Sequence, residues 1–270
     1  MIESGRVRYW PRALTGGSVA MRQPLRQCDS LVHLAYQLPS AREFWARLEQ
    51  EVTGNLLPTI RLWEAAAETG VEFISFASSV SVYPDNARGI REEGPPPENP
   101  GTPYAIVKVA QESSLRHWAR LTGGRAAVLR LATVYGPGET VARAIPNFIR
   151  SALAGSSPIL DGRGSQPFDL IFVTDVVDAF VAALERRPDA TFNIGTGVGQ
   201  TPRAVASMIL RLCAARVDVI ENPEAVERGG PICDVSRAAE ELGFRASTPL
   251  HFGLRQEIRW LAEPQPVGVS

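Results

Sequence analysis

An α/β fold built around a mostly parallel sheet is what this sequence predicts, on three observations. Apolar runs short enough for buried strands stand at 31–35, 71–77, 126–131 and 170–173. Stretches of helical period, at 41–69 and from Pro103 onward, separate them. Glycine and proline fall at the joints, at Gly70, in a Pro-rich loop after Gly94, and in Tyr135-Gly136-Pro137-Gly138. Strands alternating with helices of this length form βαβ units, and crossover helices impose parallel pairing.

Taken in order, Arg6-Val7-Arg8-Tyr9-Trp10-Pro11 is expected as a short strand ended by proline, and 22–28 as a weak helix. Leu31-Val32-His33-Leu34-Ala35 reads as a strand buried on both faces. Helical period runs over 41–69, is interrupted near Gly54 and Pro58, and stops at Gly70. After the strand at 71–77, Gly94, four prolines and Asn99 make a loop leading into the helix of Tyr104. Ala126-Ala127-Val128-Leu129-Arg130-Leu131 is a further strand. From about residue 143 the pattern becomes mixed. Ile145-Pro146-Asn147-Phe148-Ile149 opens a helix, and Asp161-Gly162-Arg163-Gly164 reads as a hairpin. Leu170-Ile171-Phe172-Val173 is a strand, and Thr174 or Asp175 caps the helix after it. The chain divides into a core over 1–142, a mixed lobe over 143–262 and a loose tail over 263–270.

Bulk properties remove several function classes. A length of 270 residues suffices for one large domain, or one domain with a lobe. A formal net charge of -1 and a pI of about 6.4 point to neither a nucleic-acid partner nor a polybasic membrane contact. Cys28, Cys213 and Cys233 are scattered, without metal-ligand spacing, and suit a reducing compartment. No apolar run reaches the ~18 residues of a membrane span. The first residues, Met1-Ile2-Glu3-Ser4-Gly5-Arg6, lack the apolar core of a signal peptide. A cytoplasmic globular protein is expected, with no metal.

Of the 28 basic residues only Lys108 is lysine, and Tyr104 stands four residues before it. On a helix that spacing puts both on one face. A compact ammonium beside a phenol lowers its pKa from ~10 toward the range of proton transfer near neutral pH, a task the planar guanidinium does not perform. Tyr-x-x-x-Lys alone is a weak pattern. Its context makes it specific, because Ser78-Ser79 ends the apolar run Phe73-Ile74-Ser75-Phe76-Ala77 upstream. The segment Ser78-Ser79-Val80-Ser81-Val82-Tyr83, the Pro-rich loop, then Pro103-Tyr104 and Lys108 together resemble the extended short-chain dehydrogenase/reductase family, in its NAD-dependent nucleotide-sugar epimerase/dehydratase branch. The resemblance runs from about Cys28 to about Trp260.

That resemblance implies a Rossmann-like, doubly wound parallel sheet with a smaller C-terminal substrate lobe. It implies NAD or NADP as cofactor, a sugar nucleotide or related sugar as substrate, and a homodimer. Ser79, Tyr104 and Lys108 would be the catalytic groups. Tyr104 is the general acid/base; Lys108 tunes it and holds the nicotinamide ribose, and Ser79 bonds the same substrate oxygen. Leu34, Ala35, Asn55 and Ser78 join Tyr104 and Lys108 as cofactor-binding residues. Ser79, Thr133, Asn147 and Arg228 are the substrate-binding set. Other roles stay open for some of these: Asn55 as a helix-breaking surface residue and Arg228 as a solvated one. His33 reads as a strand residue rather than a catalyst.

Several departures from the family pattern bear on function. The expected strand, Gly-x-x-Gly-x-x-Gly loop, helix and strand are missing before His33, so the sheet is expected to be N-terminally incomplete, short of roughly fifty residues that cradle the cofactor. A shortened protein and a mis-assigned gene start would both produce this. The edge strand at 31–35 would then need cover, from 6–10 or from another chain. Gly195-Thr196-Gly197-Val198-Gly199 superficially imitates the missing loop, but lacks its glycine spacing and a following acidic residue. Dehydrating branches carry an Asp-Glu pair beside the serine position, where this chain has Val80-Ser81. Phe168 stands where a second phosphate-binding arginine is expected, and Thr133 where an asparagine is. The sequence therefore points to an epimerase or ketoreductase, with a non-catalytic binding or assembly module as its rival.

Overall fold

The computed structural model describes residues 10, 17–85, 87–93 and 101–263. The expected strand at 6–10 lies, except for Trp10, outside the described residues. So do the Pro-rich loop from Gly94 to Pro100 and the tail beyond Glu263.

The described residues fall into two compact units. The first comprises those within Met1–Ser78, Pro96–Leu129 and Ala183–Thr191. Its elements are α1 (Ser18–Leu25), β1 (Ser30–His33), α2 (Phe44–Glu51), a π-helical segment (Val52–Leu56), α3 (Leu57–Thr69), β2 (Phe73–Ser79), α4 (Pro103–Thr122) and the start of β4 (Arg125–Leu131). The weak helix thus begins four residues earlier than its sequence suggests, at Ser18 rather than 22. Its burial explains the shift, because Met21 and Leu25 turn into the core at helical spacing.

β1, β2, β4 and β8 (Ala190–Ile194) form a four-stranded sheet in that order, with β1 at its edge among the described residues. β1 and β2 pair in parallel, Ser30 opposite Phe73 and His33 opposite Phe76. Ile74 and Phe76 of β2, Val128 of β4, Leu62 and Trp63 of α3, and Leu115 and Trp118 of α4 make the core of this unit. Burying each of the larger side chains contributes roughly 1.5–3 kcal/mol.

The interruption near Gly54 and Pro58 has a definite form. A proline has no N–H, and its ring collides with the carbonyl four residues back in an α-helix. Widening the preceding turn to π geometry over Val52–Leu56 takes up the extra residue and lets one helical path continue into α3. Asn55, inside the widened turn, is carried to the buried face. Gly70 ends α3 in the left-handed conformation, φ 78°.

The second unit comprises the described residues within Ser79–Pro95, Arg130–Ala182 and Phe192–Ser270. It holds β3 (Arg88–Ile90), β5 (Thr133–Tyr135), α5 (Ala144–Leu153), β6 (Ile159–Asp161), β7 (Phe168–Phe172), most of α6 (Val173–Arg186), β9 (Gly199–Gln200), α7 (Pro202–Leu212), β10 (Ile220–Asn222), β11 (Ile232–Cys233), α8 (Ser236–Glu241) and α9 (Leu250–Ala262). A three-stranded sheet has the order β5-β7-β9, and β6–β10 and β3–β11 are parallel pairs. The glycine-rich segment at 161–164 is therefore a turn and not a hairpin: β6 pairs with β10, and β7 with β5 and β9. Thr174 and Asp175 lie inside α6 rather than at its cap. The buried Asp175 carboxylate instead accepts from the backbones of Ser247 and Thr248, at 3.3 and 3.2 Å.

Candidate active site

The helix α4 sets the geometry of the first unit. Thr102 caps it, its hydroxyl accepting the Ala105 N–H at 3.2 Å. Pro103 occupies the first turn, where a missing N–H costs nothing. One turn separates the half-buried Tyr104 from Lys108, and a further turn separates Lys108 from Glu112.

Lys108 is 5% exposed, and its ammonium donates to the Ala77 carbonyl of β2 at 2.9 Å. It also lies 4.8 Å from the ring centre of Phe76, 5.5 Å from that of Tyr36 and 5.7 Å from that of Tyr104. Three rings around a cation attract it while excluding water. Burial pushes its pKa down to about 8, while Glu51 and Glu112 act the other way and favour the charged form. An ammonium has three N–H donors, and only the bond to Ala77 is made within the described residues. Glu112, fully buried, accepts the Ser78 hydroxyl at 2.5 Å and lies 3.4 Å from Arg116.

Behind the aromatic cluster runs a buried polar network. The side chain of Asn55 clamps the backbone of Gln37, accepting its N–H at 2.7 Å and donating to its carbonyl at 2.9 Å. Asn55 also donates to Glu51 at 2.9 Å, and the other Glu51 oxygen accepts the Tyr36 hydroxyl at 2.5 Å. Asn55 is thus no surface residue: it fixes the segment leaving β1. Leu34 and Ala35 stand in that segment, exposed just beyond the end of the strand. His33 is satisfied in the core, 2.9 Å from the Thr59 hydroxyl and stacked on Phe76. Burial, and then the Lys108 charge, push its pKa down to about 4, so it is neutral at neutral pH.

In the second unit, Ser79 is the first residue and caps the 3-10 turn Val80–Val82, accepting the Ser81 N–H at 3.1 Å. Two adjoining cavities, of about 300 and 350 Å³, share Arg143, Ala144, Phe168 and Arg228. Thr133 lines the first and Asn147 the second, so the three residues Thr133, Asn147 and Arg228 come to one cleft. Phe168 does line it, apolar where an arginine was expected. A second cation is nevertheless present in Arg143, directly ahead of α5, with Glu139 at 3.7 Å. Sequence reasoning missed Arg143, because arginines are everywhere in this chain and nothing but position marks it. It also missed the carboxylates Asp85 and Glu139 on the same cleft. Burial pushes the Glu139 carboxyl above its usual range.

The glycine loop at 195–199 is occupied by the protein itself. The Asp169 carboxylate accepts the backbone N–H groups of Thr196 at 3.0 Å and Gly197 at 2.8 Å. A Cβ on Gly195 would lie 2.4 Å from Asp169 Oδ2, which explains the glycine. The amides that could cradle a phosphate are spent, so this loop does not fit a dinucleotide.

No described helix is long and apolar enough to cross a membrane, and no metal-binding cluster occurs among the described residues. Residues 14–195 match the NAD dependent epimerase/dehydratase family. The chain is 33% identical to the UDP-glucose 4-epimerase of Mycolicibacterium smegmatis, over 86% of this chain and 75% of that one. The structure of MoeE5 in complex with UDP-glucuronic acid and NAD superposes with a TM-score of 0.84 at 32% identity, covering 94% of this chain and 85% of that one. The UDP-glucose 4-epimerase of Thermotoga maritima, solved with UDP-glucose, superposes with a TM-score of 0.84 at 26% identity, covering 93% and 83%.

Proposed function

The chain belongs to the NAD-dependent epimerase/dehydratase family, a family of Rossmann-fold enzymes acting on nucleotide sugars, and from that membership we propose that it is an NAD-dependent epimerase or ketoreductase of a UDP-linked or related sugar. The observation that carries this reading is the state of Lys108: buried, with one hydrogen bond among the described residues, to Ala77, and Tyr104 one turn away.

The residues of the first unit fit a nicotinamide nucleotide. Ligands of open α/β sheets bind beyond the carboxyl ends of the strands. There this chain offers the exposed Leu34 and Ala35 after β1, Asn55 holding that segment still, and Lys108 below the end of β2. The chemistry NAD supplies when bound is acceptance and return of a hydride at a sugar carbon. Tyr104 takes the proton of the sugar hydroxyl as the hydride leaves, and returns it afterwards. Lys108 stabilises the Tyr104 phenolate that accepts this proton, and would donate an N–H to the nicotinamide ribose. Ser79 donates to the sugar oxygen. The role of Ser78 is to anchor the strand end through Glu112.

Arg143 and Arg228 supply two cations for a diphosphate, and Thr133 and Asn147 hydrogen-bonding groups for the rest of the nucleotide. Val80-Ser81 supplies no acid and base for water elimination, which favours epimerisation or ketone reduction over dehydration. A homodimer belongs to the same reading, supported by Leu57 and Ile60 exposed on α3, and is checked by sedimentation. A cytoplasmic setting fits three cysteines that are all free.

The test is incubation with NAD and a panel of UDP- and dTDP-hexoses, and with NADH and the corresponding 4-keto sugars, with products read by NMR and the nicotinamide by absorbance. An epimer without net reduction identifies an epimerase, and stoichiometric loss of NADH on a 4-keto sugar a reductase. Both are lost in Tyr104→Phe. Cofactor and sugar nucleotide that bind without any turnover overturn the reading in favour of a binding module.

A further inference from the structure

Tyr36 follows the exposed end of β1, yet its side chain turns back into the first unit. Its ring meets that of Tyr104 edge to face, centroids 5.3 Å apart and planes at 86°. The same ring lies 5.5 Å from the Lys108 ammonium. Its hydroxyl donates to Glu51 at 2.5 Å. Burial, and then this bond to an anion, push the Tyr36 phenol well above the usual range, so it stays neutral and is no rival proton carrier.

Glu51 is fully buried, and a carboxylate in that position is costly unless each oxygen has a partner. One oxygen takes the Tyr36 hydroxyl and the other takes Asn55. Asn55 in turn clamps the peptide of Gln37, the residue after Tyr36. The Tyr36 hydroxyl is thus tied to the last residue of α2, and the backbone of the next residue, Gln37, to the π-helical segment that follows, so the ring is held from both sides. That ring is the one that walls Tyr104 and Lys108.

We propose that Tyr36 and Glu51 are a positioning pair for the Tyr104/Lys108 couple: Glu51 locks the Tyr36 hydroxyl, and the locked ring sets the Tyr104 phenol against the ammonium. The proposal rests on the reading of Tyr104 and Lys108 given above. The ionisable groups facing the couple are Glu51 from α2, Glu112 from α4, His33 from β1 and Tyr36 itself, with Arg47 acting on Tyr36. Tyr36 meets Tyr104 ring to ring while its hydroxyl is held by Glu51.

The test reads Tyr104 itself. Tyrosinate absorbance is titrated in the full chain and in Tyr104→Phe, and their difference isolates the Tyr104 midpoint. Lys108→Met is expected to raise that midpoint, by about one pH unit or more. Tyr36→Leu, which removes the wall, is expected to raise it nearly as far. Tyr36→Phe, which keeps the ring and frees it from Glu51, is expected to give a smaller rise in a chain that folds as the parent does. A purely structural Tyr36 would lower the melting temperature of the Leu variant and leave the midpoint in place. A shift in Lys108→Met with none in Tyr36→Phe or Tyr36→Leu overturns the positioning role alone. No shift in Lys108→Met removes the couple, and with it both this proposal and the reading it rests on.

Discussion

At the scale of residues, Lys108 places the heaviest demand on its surroundings, because a buried ammonium has to be held charged. Its folded pKa of about 8 lies below the ordinary 10.5, and the sign of the consequence follows. Below pH 8 both folded and unfolded chains carry the proton, and the cost of burial is fully felt. As pH rises from about 8 to 10.5 the folded chain releases the proton that the unfolded chain still holds, so folding gains stability. Relative to Lys108→Met, the parent should gain up to roughly 3 kcal/mol across that window. Denaturant titrations of both proteins at several pH values check this; a parallel pH dependence would contradict it. Turnover should fall over the same window, as the ammonium beside Tyr104 is lost. Asn55→Ala strips partners from Glu51 and from both backbone groups of Gln37, and should cost roughly 2–4 kcal/mol of stability, read by the same titrations. Spacing made Tyr104 and Lys108 legible as neighbours on one helix face, and only the serine segment upstream marked them as a candidate site; Glu112 was equally available to the same spacing rule, one turn further on. Tyr36 and Glu51 were not, since they meet across the connection between β1 and α2, whose path no periodicity announces.

At the scale of elements, helical period predicted the path of α2 and α3 and the start of α4, and apolar runs predicted β1, β2 and β4. The break near Gly54 was legible as an interruption but not as a π-helical turn, because proline says only that an α-helical bond is missing and not how the chain absorbs the loss. The turn at 161–164 was misread, since glycine marks a reversal whether or not the strands it joins pair together. The loop at 195–199 shows the same limit from the other side: its glycines make room for Asp169, a partner distant in sequence. Gly195→Ala should therefore destabilise the fold by roughly 1–3 kcal/mol, while NAD affinity stays at the parent value. Chemical denaturation and a cofactor titration on one preparation test both halves; weakened NAD binding at parental stability would reinstate the loop as a cofactor site.

At the scale of the whole molecule, the two units carry different halves of the proposed task. The first holds the proton-transfer couple and the strand ends suited to a nicotinamide nucleotide, and the second holds a cleft with two arginines. The division predicts separable defects. Arg228→Ala and Arg143→Ala should each weaken UDP affinity by about tenfold, as loss of a charge-assisted phosphate contact does, and leave NAD affinity unchanged. Calorimetry with UDP and NAD separately reads this, and a loss of both affinities in either variant would argue against it. The central claim is that this chain holds a nicotinamide cofactor where Lys108 can reach it. The most direct measurement is a fluorescence titration of NADH into the full chain and into Lys108→Met. The account predicts saturable binding below millimolar cofactor in the parent and a marked loss in the variant. No binding by the parent at millimolar NADH, or equal binding by both proteins, would contradict it.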